Sequence, residues 1–379
     1  MAESLGELAV LGRRLCEPLT GVGRYLEKLL EHWALLEHPF ERICVYAPGE
    51  PRLSPAALAG RNTVCIIPQK VSPMVWEHVQ LPTRLRAANL LFSPYTLPWT
   101  LAGRGVVSNL GIYDGRPGDF PLLARLRTTP FFRHSARRAL AVLANSGSTR
   151  DDLIEHYQVS PAKIEVILLG ADERLSPGSA PEQPLPDQVR RRYGLPAGPF
   201  FLFVGKISKR RNIPLLVESF ARAARAHDLP QRLVIVGPDA WGVNPLGLAQ
   251  RHGVGDRVCW IQHVPMDDLL HFYRAARAFV LPTEHEGFSL TIVEAMACGL
   301  PALVFDHAAL QGPVRAAVHL VGPLQLADAL AEIARSAELY ARQREAGLRC
   351  AYSYRWKTTA EATMRSLVRA ACGLVETSR

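Results

Sequence analysis

Short apolar segments that alternate with longer helical stretches are the feature that most constrains the fold of this chain. Such segments, bounded by turn residues, are typical of buried strands, and their alternation with helices favours parallel α/β layers. In the first half the predicted strands are 8–11, 43–46, 64–67, 90–92, 105–107, 140–143 and 164–168. In the second half they are 200–204, 233–236, 258–261, 279–281, 302–305 and 318–321.

The two sets of strands are separated by a stretch rich in proline, glycine and charge, 171–199, in which we expect a short helix at 189–193. A length of 379 residues agrees with two domains at roughly 100–200 residues each. The chain then ends in two predicted helices, 324–350 and 357–371. Since ligands of parallel sheets bind beyond the carboxyl ends of the strands, a substrate is expected in a cleft between the domains.

Composition limits the classes of protein. Hydrophobic residues make up 48% and charged residues 21% of the chain, which is typical of a globular protein. No apolar run reaches the ~18 residues of a membrane-spanning helix, and the first ten residues do not resemble a signal peptide. Seven cysteines, with no C-x-x-C pair, indicate reduced thiols and a cytoplasmic location.

The formal net charge of +9 indicates attraction to anions without naming one. Nucleic acid is not expected as a partner, because no basic repeat carries interleaved aromatic residues. The segment 122–140 combines arginines with leucines and phenylalanines, which suggests contact with an anionic membrane surface, at the inner face of the membrane. The alternative for this segment is a charged helix packed on its own sheet.

Two glutamates eight positions apart, Glu286 and Glu294, follow the predicted strand at 279–281. The order strand, loop, helix aims backbone N–H groups and a helix N-terminus at an anion. Glu286 would stand at the mouth of the loop and hold sugar hydroxyls, and Glu294 would grip the two hydroxyls of a ribose. The alternatives are a capping box formed by Thr291 and Glu294 and a solvated loop charge at Glu286.

The run E-G-F-S-L-T-I-V-E-A-M-A-C-G-L-P, residues 286–301, resembles the E-x7-E signature of retaining GT-B glycosyltransferases of family 4. Further segments follow the order of this family: T-G-V-G-R-Y at 20–25, G-K-I-S-K-R-R-N at 205–212, V-G-P at 236–238 and Y-R-W-K-T-T-A at 354–360. The resemblance implies an α/β protein of GT-B architecture, with two Rossmann-like domains facing each other across a central cleft. The implied divisions are an acceptor-binding domain at 1–175, a linker at 176–198, a nucleotide-sugar-binding domain at 199–355 and a C-terminal helix at 356–379 that crosses back.

The resemblance also implies roles for individual residues. The candidate catalytic residues are Glu286, Lys206 and Arg211, with Arg210 competing with Arg211 for the donor phosphate. The candidate donor-binding residues are Glu294, Gly287, Phe288, Ser289, Leu290, Gly205, Arg210 and Gly237. The candidate acceptor residues are Gly21, Gly23, Asn109 and Leu110. Since no D-x-D motif occurs, neither a metal nor any cofactor besides the donor substrate is expected.

One departure from the family pattern bears on activity. The family's histidine after the strand at 105–107 falls on Leu110 or nearby, where Asn109 or Asp114 is a candidate substitute. The expected function is retaining transfer of a hexose or 6-deoxyhexose from a nucleotide-diphospho-sugar to a glycan or lipid-linked acceptor. The alternative is a catalytically impaired relative that binds a sugar nucleotide or a partner protein.

Overall fold

The computed structural model of the chain describes residues 4–17, 21–85, 90–112, 122–178 and 183–378. These residues form two compact units, unit 1 with residues 1–170 and 356–379, and unit 2 with residues 171–355. Thr20 of the predicted glycine loop and Asp114 lie outside the described residues. Among the residues that the structure describes, no helix is both long enough and apolar enough to cross a membrane.

The strands are β1 Glu7–Leu11, β2 Arg42–Ala47, β3 Asn62–Ile66, β4 Leu90–Ser93, β5 Gly105–Asn109, β6 Ala141–Ala144, β7 Ile164–Val166, β8 Phe200–Val204, β9 Arg232–Val236, β10 Val258–Ile261, β11 Ala278–Leu281, β12 Ala302–Phe305 and β13 His319–Val321. The helices are α1 Gly21–Trp33, α2 Pro73–Val75, α3 Leu122–Arg138, α4 Gly147–Tyr157, α5 Asp187–Arg192, α6 Ile213–His227, α7 Pro245–Arg251, α8 Met266–Ala275, α9 Leu290–Ala297, α10 Gly312–Ala317, α11 Leu326–Arg335, α12 Ala337–Ala351 and α13 Trp356–Ser378. Every strand predicted from the sequence overlaps one of these strands.

Unit 1 is built on a parallel sheet in the order β3-β2-β1-β4-β5-β6-β7. All five residues of β1 are buried, which is typical of a central strand covered on both faces. The last helix, α13, packs on this unit, where the Trp33 indole donates to the carbonyl of Ala360 at 3.0 Å. The hydroxyl of Thr359 donates to the carbonyl of Leu168 at 2.7 Å.

Unit 2 is a second parallel sheet, in the order β10-β9-β8-β11-β12-β13. The described part of the segment expected as a linker packs on this unit through α5, whose Val189 is buried. At the end of that helix, Arg192 and the following Tyr193 donate to the carboxylate of Asp268 in α8 at 2.6 and 2.7 Å. The described part of this segment therefore has fixed partners in unit 2.

One predicted helix is wrong in extent. The stretch 324–350 forms two helices, α11 and α12, which are separated at Ser336. The Ser336 hydroxyl accepts from the N–H of Leu339 at 3.0 Å, so the serine caps a new helix instead of continuing the old one. Arg277 donates to the carbonyl of Ile333 in the last turn of α11 at 2.7 Å, which satisfies one of the carbonyls that the end of a helix leaves without an intrahelical partner.

The order of the second sheet places its ligand-binding crevice. Strand β8 lies between β9 and β11, so the connections leaving β8 and β11 diverge at the carboxyl edge of the sheet. Such a switch point is where open parallel sheets bind their ligands. The loop after β8 carries Gly205 to Asn212, and the loop after β11 carries Pro282 to Ser289. The two motifs predicted from the sequence therefore meet at the switch point of unit 2.

Candidate functional site

The basic loop after β8 is fastened to the loop after β11. It contains a 3-10 turn, Lys209–Arg211, and ends at Asn212, which has a left-handed backbone with φ 49°. The Asn212 amide donates to the carbonyl of Pro282 at 3.1 Å and to the carboxylate of Glu284 at 3.0 Å. The N–H of Glu284 in turn donates to the carbonyl of Arg210 at 3.2 Å. These bonds hold the arginines beside Glu286.

Glu286 lies between two guanidinium groups. Its carboxylate is 2.8 Å from Arg210 and 2.5 Å from Arg211. Glu286 is 4% exposed, and the arginine side chains are 17% and 11% exposed. Arg210 also donates to the carbonyl of His285 at 2.7 Å. Two positive groups and one negative group leave a single net positive charge, so the cluster attracts an anion while each of its members has a partner.

Burial alone would raise the pKa of the Glu286 carboxyl, because it removes the charged form from water. The charges of Arg211 and Arg210, the hydrogen bond from Arg210 and the nearby His307 outweigh burial and hold the pKa below its ordinary value. Glu286 is therefore ionised at neutral pH. A carboxylate kept charged in a buried position can hold polar groups of a ligand and can orient the two arginines.

The alternative of a solvated loop charge at Glu286 is wrong, because the side chain is buried. The reason is that the two arginines, distant in sequence, cover the carboxylate. Lys206, the remaining candidate cation, is exposed, and its predicted contact with the donor stays a prediction. Arg210 and Arg211 both contact Glu286, so the structure gives neither arginine a distinct role.

Glu294 lies in the second turn of α9 and is 1% exposed. The hydroxyl of Tyr273, from α8, donates to its carboxylate at 3.0 Å. The capping-box alternative is wrong, because α9 begins at Leu290 and Thr291 lies inside the helix. The N-cap is Ser289, whose backbone is left-handed with φ 63°. This unusual conformation at the start of the helix is a form of strain that is often found at ligand sites.

Two glycines predicted to bind the donor have a positive φ that favours glycine. At Gly237, φ is 145°, and an added Cβ would lie 2.0 Å from the carbonyl oxygen of Gly205. Gly205 has φ 150°, and a Cβ there would contact the guanidinium of Arg211 at 3.4 Å. The loops after β8 and β9 therefore approach each other at a distance that only glycine allows. Phe288, also predicted to bind the donor, is buried against Tyr354 with ring centroids 5.8 Å apart.

Several buried polar atoms around these loops have no hydrogen-bond partner among the residues that the structure describes. They are Ser208 Oγ, Ser289 Oγ, Thr291 Oγ1 and both ring nitrogens of His307. Buried polar groups are nearly always hydrogen-bonded, so a group of exceptions at one edge of a sheet points to a ligand or to water. His307 was missed at the sequence level. The available signal was its place two residues after the apolar strand predicted at 302–305.

The residues predicted to bind the acceptor lie in unit 1. Gly21 begins α1, and a Cβ added there would meet no atom within 4 Å, while Gly23 is buried in the same helix. Asn109 ends β5, and its side-chain oxygen accepts from the N–H of Gly111 at 2.9 Å. The carbonyl of Leu110 accepts from the Asn145 amide at 3.0 Å. Asn109 thus shapes a turn, and the acceptor role of these four residues stays a prediction.

Metal binding has no ready set of ligands in the described part of the chain, where no group of three or more histidines, cysteines, aspartates or glutamates is arranged to hold an ion. Activity without a bound metal stays a prediction.

Comparisons with known proteins identify the family to which the chain belongs. Residues 187–349 match the family model described as Glycosyl transferases group 1, and residues 19–175 match the model described as Glycosyltransferase Family 4. A D-inositol 3-phosphate glycosyltransferase of Frankia alni is 32% identical over 245 residues, which cover 59% of this chain and 58% of the relative. The chain spans about half the length of the curated relatives it matches.

Solved structures show the same fold. Anabaena HepE in complex with UDP and glucose superposes with a TM-score of 0.73 at 15% identity, covering 96% of this chain and 99% of HepE. WaaG, a glycosyltransferase involved in lipopolysaccharide biosynthesis, superposes with a TM-score of 0.72 at 16% identity, again covering 96% and 99%. Both halves of the sequence match glycosyltransferase models, and both units are parallel Rossmann-like sheets. The chain belongs to the GT-B glycosyltransferases of the group 1, family 4 type.

Proposed function

We propose that this protein transfers a hexose or 6-deoxyhexose from a nucleoside-diphosphate sugar to a glycan or lipid-linked acceptor, with retention of anomeric configuration. The observation that carries the proposal is the buried cluster of Glu286 with Arg210 and Arg211 at the switch point of unit 2. It supplies fixed positive charge and an ionised carboxylate at the edge where parallel sheets bind nucleotides.

The positive charge would act on the leaving diphosphate. As the glycosidic bond to the donor breaks, negative charge grows on the phosphate oxygens, and fixed cations in a water-poor site stabilise that charge most. A guanidinium has five N–H groups, so Arg210 and Arg211 can hold Glu286 and still donate to phosphate. Backbone N–H groups of Gly287 to Leu290, at the start of α9, would add to this binding.

Glu286 and Glu294 would bind the two parts of the donor on either side of the diphosphate, the sugar and the ribose respectively. Glu286, kept ionised by its arginines, would accept from sugar hydroxyls and orient the reacting carbon. Glu294 would bind the ribose hydroxyls, with Tyr273 holding its carboxylate in place. The two roles follow the family resemblance, and the burial of both carboxylates supports them, because a buried carboxylate is costly unless it is paired or bound.

A second candidate is a relative that binds the donor without transferring the sugar. It is favoured by the segment at Leu110, at or near which the family has a histidine and this chain has none. Transfer is tested by incubating the protein with UDP-, GDP-, ADP- and dTDP-sugars and measuring release of the nucleoside diphosphate, with and without EDTA. Release with one donor, abolished in Arg210→Ala/Arg211→Ala, supports the enzyme. Saturable binding without release of the diphosphate supports the non-catalytic relative.

The names of the relatives suggest which acceptors to screen first. D-inositol 3-phosphate, named in the relatives' descriptions, is the first compound to screen, followed by lipid-linked glycans. Product configuration by NMR then tests retention. Contact with an anionic membrane remains part of the proposal through α3, along which a surface cavity is lined by Leu126, Pro130 and Arg133 among others. Flotation with anionic liposomes at low salt tests it, and failure to float would remove it.

A further inference from the structure

His307 is a buried histidine to which the roles described so far assign nothing. It follows β12, which pairs with β11 so that Leu281 and Val304 are neighbours. The loops that carry Glu286 and His307 therefore leave adjacent strands at the same edge of the sheet. His307 is 8% exposed, and its charge state is coupled electrostatically to that of Glu286. A surface cavity opens at this edge, lined by Glu284, Phe305, Asp306 and Val321 among others.

The imidazole has no protein partner among the described residues, since Nδ1 and Nε2 are both buried without a hydrogen bond. Its neighbour Asp306 is engaged elsewhere, by an ion pair with Arg315 in which one oxygen and one nitrogen are 2.7 Å apart. The His307 backbone is held separately, because its carbonyl accepts from the N–H of Leu310 at 2.9 Å. A buried donor or acceptor without a hydrogen bond lowers the stability of the folded state, and no described residue of these loops supplies the missing bond to either ring nitrogen.

His307 is neutral under physiological conditions. Burial, which disfavours the charged ring, lowers its pKa to about 4, against the opposing pull of Glu286 and Asp306 and with a smaller contribution from the two arginines. A neutral imidazole presents one N–H donor and one lone-pair acceptor. A hydroxyl group can satisfy either nitrogen as donor or as acceptor, whereas a phosphate offers only acceptors and is already served by Arg210 and Arg211.

We propose that His307 binds a hydroxyl group of the donor's sugar and thereby determines which sugars the site accepts. This inference rests on the proposed function, because it needs a nucleoside-diphosphate sugar in unit 2. It places the sugar between Glu286, which is ionised and accepts, and His307, which is neutral and both donates and accepts. A site built to bind a hydroxyl rejects an analogue that lacks it much more strongly than an apolar pocket rejects an extra group.

The test compares the wild type with His307→Leu, which removes both nitrogens, and His307→Gln, which keeps one donor and one acceptor. Calorimetric titration measures Kd for the nucleoside diphosphate and for the matching nucleotide sugar. In His307→Leu we expect Kd for the diphosphate to stay within about twofold and Kd for the nucleotide sugar to rise about tenfold or more, the scale of one lost hydrogen bond. His307→Gln should recover part of that loss.

His319→Leu is the matched control, since His319 is a partly buried histidine at the amino-terminal end of β13 that does not line the cavity, and it should change neither Kd. Thermal unfolding checks the fold, and His307→Leu should melt no lower than the wild type because it removes unsatisfied buried atoms. Equal losses for both ligands would show a structural role and overturn the assignment. Unchanged Kd for both would show that water satisfies the ring and would also overturn it. A wild type that binds no nucleotide overturns the proposed function itself.

Discussion

Replacing Glu286 with glutamine tests whether the charge cluster holds the loops of unit 2 together. The substitution keeps the size of the side chain and removes the charge that faces Arg210 at 2.8 Å and Arg211 at 2.5 Å. Removing one partner of a buried ion pair costs ~3–5 kcal/mol, because the remaining charge is left uncompensated. Since the arginine side chains keep 17% and 11% of their exposure, we expect the lower end, about 3 kcal/mol.

The assay is differential scanning calorimetry. A loss of about 3 kcal/mol corresponds to a fall in Tm of roughly 6–12 °C for a domain of this size, in the transition that belongs to unit 2. Glu345→Gln is the control, because Glu345 and Arg349 form an ion pair with 70% and 69% of the side chains exposed. Such an exposed pair contributes less than about 1 kcal/mol, so the control should shift Tm only slightly.

Pyrophosphate supplies a second readout of the same cluster. In Glu286→Gln the two guanidiniums lose their internal anion, so an external anion should bind them more tightly than in the wild type. At a concentration a hundredfold above the Kd of the variant, pyrophosphate should restore about 2.7 kcal/mol, most of what the substitution removed, and the same concentration should stabilise the wild type less. The reasoning is refuted if Glu286→Gln melts together with the Glu345→Gln control, or if pyrophosphate stabilises wild type and variant equally.

Three further predictions concern single groups of the site and the N-terminal glycine loop. Gly237→Ala should prevent folding or lower Tm sharply, because its Cβ would meet the Gly205 carbonyl oxygen at 2.0 Å. In contrast, Gly21→Ala places its Cβ in open space, so it should change Tm by a few degrees at most and reduce only the rate of transfer to the acceptor. Tyr273→Phe removes the 3.0 Å bond to Glu294 and should weaken nucleoside diphosphate binding in titration by roughly ten- to a hundredfold, the ~1.5–3 kcal/mol of a bond to a charged group. Stability should fall as the pH is lowered from 6.5 to 4. In the unfolded chain His307 binds a proton near pH 6.5, whereas the folded ring, with a pKa of about 4, stays neutral over this range. The unfolded state therefore holds more protons, and a window of 2.5 pH units corresponds to about 3 kcal/mol of unfolding free energy. A flat urea-unfolding profile over this range, or the same slope in His307→Leu, would contradict the last prediction.

The strands and the two-unit organisation were predictable because each depends on local sequence. A run such as Phe200–Val204 is apolar throughout and is buried throughout, so a short-range pattern was enough. The break at Ser336 was not predicted, since a serine is compatible with a helix interior and its role as a cap depends on the carbonyl and hydroxyl partners it finds in the fold.

The composition of the site was predicted better than its geometry. The motifs assigned Arg210, Arg211 and Glu286 to one donor site. Their mutual burial, however, depends on contacts across about seventy-five residues of sequence and on the Asn212 bonds that fasten the loops. His307 illustrates the limit most clearly. Its significance lies in having no partner in the described chain, and only the packing of β11 beside β12 makes that visible.

The most direct test of the account is titration of the wild type and Glu294→Gln with UDP, GDP, ADP and dTDP and with the corresponding nucleotide sugars. We predict that one base is preferred, that its nucleotide sugar binds at least as tightly as the diphosphate, and that Glu294→Gln loses affinity for both by a similar factor. Absence of saturable binding for every nucleotide, in a wild type that unfolds cooperatively, would contradict the assignment of the donor site to unit 2.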